Sequence, residues 1–257
     1  MKKQLAKLAL TAALGLALTL LACEDKEKKQ TPAETQTAEP AAAETQQPSQ
    51  EAAAPPPTTL TDPRDSKTYK TVKIGNQTWM AENLNFEAKG SKCYGEGSEV
   101  IIEKGGEATT ETGEVYDRED TFITLSNAEI KANCEKYGRL YDWETAIKAC
   151  PSGWHLPSKE EWQTLVNFAG GDEIAGEKLK AKSGWQKSGN GTDNYEFSAL
   201  PGGCRNENGV FDEVGYYGNW WSTDNYNGCW RMFYSAKSIY NCNFDKSNLH
   251  SVRCIQN

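Results

Sequence analysis

The chain has 257 residues, with 36 acidic side chains against 28 basic ones and a formal net charge of −8. That balance argues against nucleic acid as a partner, because holding a phosphate backbone calls for a basic footprint. Cysteines and tryptophans number eight each and tyrosines eleven, but there are only two histidines, so imidazole chemistry narrows to His155 and His250.

Lys2, Lys3 and Lys7 precede an apolar run from Leu8 to Leu21, interrupted only by Thr11, Gly15 and Thr19. A positive start followed by a short apolar stretch predicts a secretory leader over residues 1–22. The run is too short and wrongly flanked for a membrane span. Its end, Leu20-Leu21-Ala22-Cys23, resembles the lipobox of bacterial lipoproteins, in which the cysteine thiol receives a diacylglycerol. A single acyl chain holds a protein only marginally, but the two or three of bacterial lipoproteins imply stable anchoring. Lipidation at Cys23 would make the membrane a partner, place the chain in the cell envelope and expose it to an oxidising compartment.

Residues 24 to about 60 are rich in Thr, Ala, Glu, Gln and Pro, with no aromatic side chain and no glycine. Such a segment cannot bury enough apolar surface to offset its ordering entropy. Pro55-Pro56-Pro57 stiffens its far end. Residues 23–60 are therefore expected to be a tether, reaching about 120–130 Å when fully extended.

From Thr61 onward the chain is one domain's worth and holds every Trp and Tyr. Tyr69, Val72 and Ile74 lead into Gly75-Asn76, and Thr78, Trp79 and Met80 leave it, which predicts a β-hairpin within residues 68–84. Ser126 and Glu129 have capping-box spacing for a helix over 127–137, which Gly138 ends. Asp142 can cap a helix from Trp143 to about Ala149. Trp143, Ala146, Ile147 and Cys150 share one face of it, and Pro151 stops it. Ser158 and Glu161 form a second box, with Pro157 and Trp162 placed as a hydrophobic staple. Trp162, Leu165 and Val166 continue the apolar face to Gly170-Gly171, and Glu160 suits the positive end of the helix. Beyond Gly184 the pattern turns to β. Alternation over 195–200 predicts a strand, and Trp220 to Thr223 a short aromatic one. Residues 229–234 and 237–242 predict a hairpin turning at Ser235-Ala236, and 251–255 a closing strand.

His155 lies in the connection before the second capping box. A metal site would need further ligands at close spacing. No His-Glu-x-x-His run occurs and His250 stands alone, so His155 is expected to be structural and no metal site is predicted. No Ser-His-Asp set and no phosphate-binding glycine loop is discernible. Setting Cys23 aside leaves seven cysteines, an odd number. The hairpin turning at 235–236 would face Cys229 toward Cys242, a candidate bridge with Cys204 as the candidate free thiol.

TDPRDSKTYKTVKIGNQTWMAENLNF (Thr61–Phe86), CYGE, NCEKYGRLYDW, CPSGWHLPSKEEW, ALPGGCRNENGVF, GNWWSTD and SVRC occur in that order. Together they resemble the Fibrobacter succinogenes major paralogous domain over most of residues 61–257. The resemblance implies an exported bacterial module and no particular activity. The diderm hosts of the family imply the outer membrane and a surface-exposed domain. The family's CY…NC spacing implies a Cys93–Cys134 bridge. Here the two lie about forty residues apart, around a Gly- and Glu-rich stretch at about 95–122 expected to be an acidic, mobile insertion. Asp117, Glu119 and Asp120 are its candidate Ca²⁺ ligands, although the helix–loop–helix calcium pattern is missing.

More distantly, Trp143, Ala146, Cys150, Gly153, Leu156, Ser158 and Glu161 resemble the C-type lectin-like fold. It implies an α+β, loop-rich, disulfide-stapled domain with two short helices packed on twisted antiparallel sheets. It also implies a bridge from the helix Cys150 to Cys254 on the last strand.

The function expected from these features is a non-catalytic binding or adhesion module, without a cofactor. Trp220, Trp221, Tyr216, Tyr217, Tyr226 and Trp230 are the candidate rings for a polysaccharide, with Asn219, Asp224 and Asn225 for its hydroxyls. An envelope protein is the other candidate partner. The calcium-dependent sugar motifs of true lectins are absent from the folded region. The alternative is an oxidase resembling the formylglycine-generating enzymes, suggested by residues 156–162. It would require copper held by Cys204 with Cys229 or Cys242. A passive structural component of the envelope is the third class.

Overall fold

The computed structural model describes residues 58–103, 105–109, 115–224 and 228–257. The leader, Cys23 and the tether as far as residue 57 lie outside the described residues. Thr58, Thr59 and Leu60, expected to lie in the tether, belong to the folded domain, because Thr58–Thr61 pairs antiparallel with the strand Thr68–Ile74.

Those two strands open a five-stranded antiparallel sheet that continues through Gln77–Met80, Ile255–Gln256 and Trp154–His155. The expected hairpin is present, with Ile74 opposite Gln77 and Gly75 at φ 59° in the turn. Glycine meets that positive φ without steric cost. A second sheet runs Ile239–Asn243, Gly228–Phe233, Tyr217–Trp221, His250–Ser251, Leu140–Tyr141. Successive side chains of a strand point to opposite faces. Trp220 and Trp221 therefore leave Tyr217–Trp221 in opposite directions, and both are wholly buried. Trp220 packs with Trp79, Trp162, Phe197 and Trp230 in the larger core, where the Trp162 ring lies 5.0 Å from Trp79 and 5.9 Å from Trp230. Trp221 packs with Tyr141, Trp143, Cys229 and Cys254 in a second core.

A four-stranded sheet orders Cys204–Arg205, Phe211–Asp212, Val100–Glu103, Thr121–Ile123. Between the strands of these three sheets pairing is antiparallel except at Phe211 with Val100 and Trp220 with Ser251. The acidic insertion, expected as an open loop, thus supplies two strands of this sheet and a ribbon of Gly106–Thr109 with Val115–Arg118. Val100-Ile101-Ile102 and Thr121-Phe122-Ile123 are β-branched or aromatic, and Val100 is buried in a cluster with Phe211 and Tyr94.

Among the described residues there are four short helices; the sequence predicts three of them, and the lectin-like resemblance implies two. α1 (Asn127–Tyr137) and α3 (Lys159–Phe168) begin at Ser126 and Ser158 with complete capping boxes. α2 (Trp143–Ala146) is a single turn capped by Asp142, shorter than the sequence suggested. α4 (Asp172–Leu179) follows Gly171, whose φ is 93°, without any side-chain cap. Replacing Ser158 by alanine removes the acceptor for the Glu161 N–H at 3.2 Å. Chemical denaturation should show a loss of about 1 kcal/mol, with Ser126→Ala as the matched comparison.

Three disulfides staple the domain: Cys93–Cys134, Cys150–Cys254 and Cys229–Cys242. Cys229 and Cys242 are cross-strand partners, so the hairpin has the expected register; its connection is longer than a two-residue turn, running from Phe233 to Ile239. Two other expected strands are corrected. Residues 195–200 form no strand, because Glu196 and Ser198 take φ of 55° and 52°, left-handed values that break the pleat. The closing segment splits into His250–Ser251 and Ile255–Gln256. Between them Arg253 is fully buried, its guanidinium donating to Asn83 Oδ1 at 2.9 Å and to the carbonyls of Phe197 and Ser198. The irregular 195–200 segment thus presents two carbonyls to a buried cation. Asn83 ties this knot together, since its Oδ1 also accepts from Trp220 Nε1 at 2.9 Å and its Nδ2 donates to the Tyr137 carbonyl.

Candidate functional site

The structure separates the candidate ring residues. Trp220, Trp221 and Trp230 are at most 1% exposed, and Asn219 is fully buried. These rings are core rather than a platform for a ligand, because Tyr217–Trp221 and Gly228–Phe233 lie in the interior of their sheet. Asp224 is half-buried and accepts from Ser222 Oγ at 3.0 Å. Asn225 and Tyr226 lie outside the described residues. Tyr216 and Tyr217 are the members of the set that reach the surface, with Tyr216 at 36% exposure.

Both tyrosines line a cleft of about 390 Å³ together with Ile101, Ile102, Asp212 and Glu213. Tyr217 is held on both faces: Phe233 stacks on it at 4.5 Å and the Arg231 guanidinium lies 3.8 Å from its centroid. Tyr216 meets Tyr234 edge-on at 5.5 Å, and Lys187 Nζ lies 5.7 Å from each of these rings. The cleft continues onto the exposed side chain of Ile102.

Glu213 organises the floor. Its φ of 68° is a left-handed value for a residue with a side chain, strain that persists only where the surroundings over-determine it. Here its Oε1 pairs with Arg231 Nη2, and its Oε2 accepts from Asn219 Nδ2 and from the Cys204 thiol, both at 3.5 Å. Asp212 Oδ1 accepts from the Glu213 N–H at 2.6 Å. The result is two fixed carboxylates beside an aromatic ring. Sequence patterning could not find this cluster, because its members come from separate strands and a turn.

Cys204 is the free cysteine among the described residues, and it is buried. Burial, reinforced by the Glu213 and Asp212 carboxylates, pushes its thiol well above the usual cysteine range. It is therefore protonated at neutral pH and a poor nucleophile. The copper pair considered for an oxidase is corrected by the pairing of Cys229 and Cys242 with each other.

His155 bridges two elements. Its Nε2 donates to Glu161 Oε1 at 2.9 Å, and its Nδ1 lies 2.7 Å from the Asn257 side-chain oxygen. Glu161 also accepts from the Ser158 N–H, and these bonds hold its carboxyl below the ordinary range against the upward pull of burial. The Asp117 side chain lies outside the described residues. Glu119 and Asp120 are exposed, and Asp120 Oδ1 accepts from the Gly105 N–H at 2.7 Å. Among the described residues no three His, Cys, Asp or Glu side chains are grouped to hold a metal ion, and no helix is long and apolar enough to cross a membrane.

The fold and cleft define a class: a disulfide-stapled α+β domain, closed by its own C-terminal strand, with a small aromatic and carboxylate-lined cleft. Residues 72–256 match the family model of the Fibrobacter succinogenes major domain, and the chain belongs to that family. No curated protein and no solved structure matches the chain.

Proposed function

We propose that the protein is a non-catalytic binding module that takes a saccharide in the cleft beside Tyr216. Lipidation at Cys23 anchors it in the cell envelope, at the outer membrane, and the tether to residue 57 carries the module to the surface. A C-type lectin-like fold is the finer reading, supported by the bridge from Cys150, four residues past α2, to Cys254, just before the closing strand.

The observation that carries the reading is the pairing of an exposed ring with two oriented carboxylates in one cleft. An aromatic face packs against the apolar face of a sugar ring, and carboxylates accept from its hydroxyls. Tyr216, Asp212 and Glu213 supply both. The Cys204 thiol is buried and kept protonated by burial and by the neighbouring Glu213 and Asp212 carboxylates, which favours binding over covalent chemistry. An envelope protein is the second occupant considered, favoured by exposed Ile102 on the rim.

A glycan array and polysaccharide pull-down with the purified protein test this directly. At least one neutral glycan class should bind, and Tyr216→Ala should weaken it by roughly tenfold or more. If no glycan binds, or if Tyr216→Ala binds as well as the parent, the saccharide reading is lost.

A further inference from the structure

A second cleft, of about 530 Å³, shares no lining residue with the first. It lies between the first hairpin, the end of α1 and the segment after α4, and four lysines line it: Lys67, Lys70, Lys136 and Lys182. Three acids share its wall, and each is already engaged. Glu82 accepts from the Lys70 backbone N–H at 2.8 Å, Asp193 takes both the N–H and the hydroxyl of Ser198, and Glu135 faces Lys131. Lys67 pairs with Asp65. Lys70, Lys136 and Lys182 make no ion pair within the described residues. In a chain of net charge −8, four lysines against three carboxylates leave this lining with a slight excess of positive charge, carried by three ammonium groups without an ion pair.

Behind this wall sits Arg253, fully buried and without a carboxylate within ion-pair distance among the described residues. Its partners are neutral oxygens, and two of the residues that supply them, Asn83 and Ser198, line the cleft. Asp193 and Glu82 of the cleft wall are the carboxylates that act on Arg253 from further away, and they offset only part of the cost of burying the cation. A further anion bound beside Asn83 and Ser198 would add to that compensation. The rest of the lining consists largely of neutral hydrogen-bonding groups, among them Thr68, Asn85 and Ser183. These match hydroxyls better than a bare inorganic ion.

We propose that this cleft binds an acidic saccharide, with the ring carboxylate drawn to Lys70, Lys136 and Lys182 and the ring hydroxyls bonded by the neutral lining. The proposal stands apart from the Tyr216 cleft. Isothermal titration of the full protein with an oligogalacturonate, with a neutral galacto-oligosaccharide of equal length and with sodium sulfate separates the sources. The acidic oligomer should bind, more weakly as salt is added, and the neutral one should not. Lys70→Gln combined with Lys182→Gln should reduce the affinity at least about tenfold. Both lysines are exposed, so the fold should persist, as near-UV circular dichroism would verify. Tyr216→Ala should leave this binding unchanged, so the two clefts can fail separately. The proposal is overturned if the acidic oligomer does not bind, if the neutral oligomer binds equally, or if the double variant keeps full affinity. It is likewise overturned if sulfate alone binds as tightly, which would mark an adventitious ion only.

Discussion

Replacing Cys150 and Cys254 together by alanine is expected to cost about 4–5 kcal/mol, the largest loss among the three bridges. The chain-entropy model makes the cost grow with the loop that a bridge closes. This pair is separated by 104 residues, against 41 for Cys93–Cys134 and 13 for Cys229–Cys242. The same model gives about 4 and about 3 kcal/mol for those two. Packing points the same way. Cys254 is fully buried in the second core, and the next residue, Ile255, pairs with both Trp79 and His155. The last strand therefore joins two halves of the first sheet, and the bridge fastens it to the turn that follows α2. A domain of ordinary stability holds only about 5–15 kcal/mol in reserve, so the double variant should be close to unfolding at 37 °C. Denaturant midpoints of the three alanine pairs, measured side by side, check the ordering. A smaller loss for the 104-residue pair than for the 13-residue pair would refute the loop argument.

What could be seen in the sequence was whatever is decided locally. Ser126 with Glu129 and Ser158 with Glu161 are three residues apart, so both capping boxes are legible without any tertiary contact. Gly75-Asn76 marks its turn for the same reason. Likewise, the register of Cys229 with Cys242 depends only on where the intervening turn is centred. The failures share another cause. Trp220-Trp221 has no alternation, and a run of large apolar residues reads equally well as a surface aromatic strip or as a strand buried on both faces. Only its position between Gly228–Phe233 and His250–Ser251 decides for burial. Residues 195–200 alternate correctly for a strand, but their carbonyls are recruited by Arg253, more than fifty residues later. α4 carries no cap and few apolar positions, and it is held by contacts such as the Glu177 N–H with the Lys237 carbonyl. In the Tyr216 cleft the ring was visible and the carboxylates were not, because Glu213 is positioned by Arg231 from a strand that the sequence does not tie to it.

Between pH 6.5 and 4.5 the protein should lose stability at up to about 1.4 kcal/mol per pH unit, and His250→Phe should flatten that slope. His250 is wholly buried, with the Trp221 ring at 4.5 Å and the Phe244 ring at 4.7 Å, and neither ring nitrogen has a partner among the described residues. Burial, with a smaller contribution from the Arg231 charge, pulls its pKa from 6.5 down to about 3. The folded protein therefore keeps this imidazole neutral through a range in which the unfolded chain takes up a proton. With more protons bound in the unfolded state, stability rises with pH across this window. The contribution is complete above pH 6.5 and is lost as pH falls toward 3. Asp62 and Glu161 also have lowered pKa values, but their contributions fade only below the ordinary carboxylate range of 3.8 and 4.5. The interval above pH 4.5 thus isolates the histidine from these two carboxylates. Phenylalanine keeps the ring contacts with Trp221 and Phe244 while removing the titrating group. The measurement is urea denaturation of parent and variant at half-unit pH steps. Parallel curves through the window would mean that His250 is protonated as readily inside the fold as outside it, which its apolar surroundings argue against.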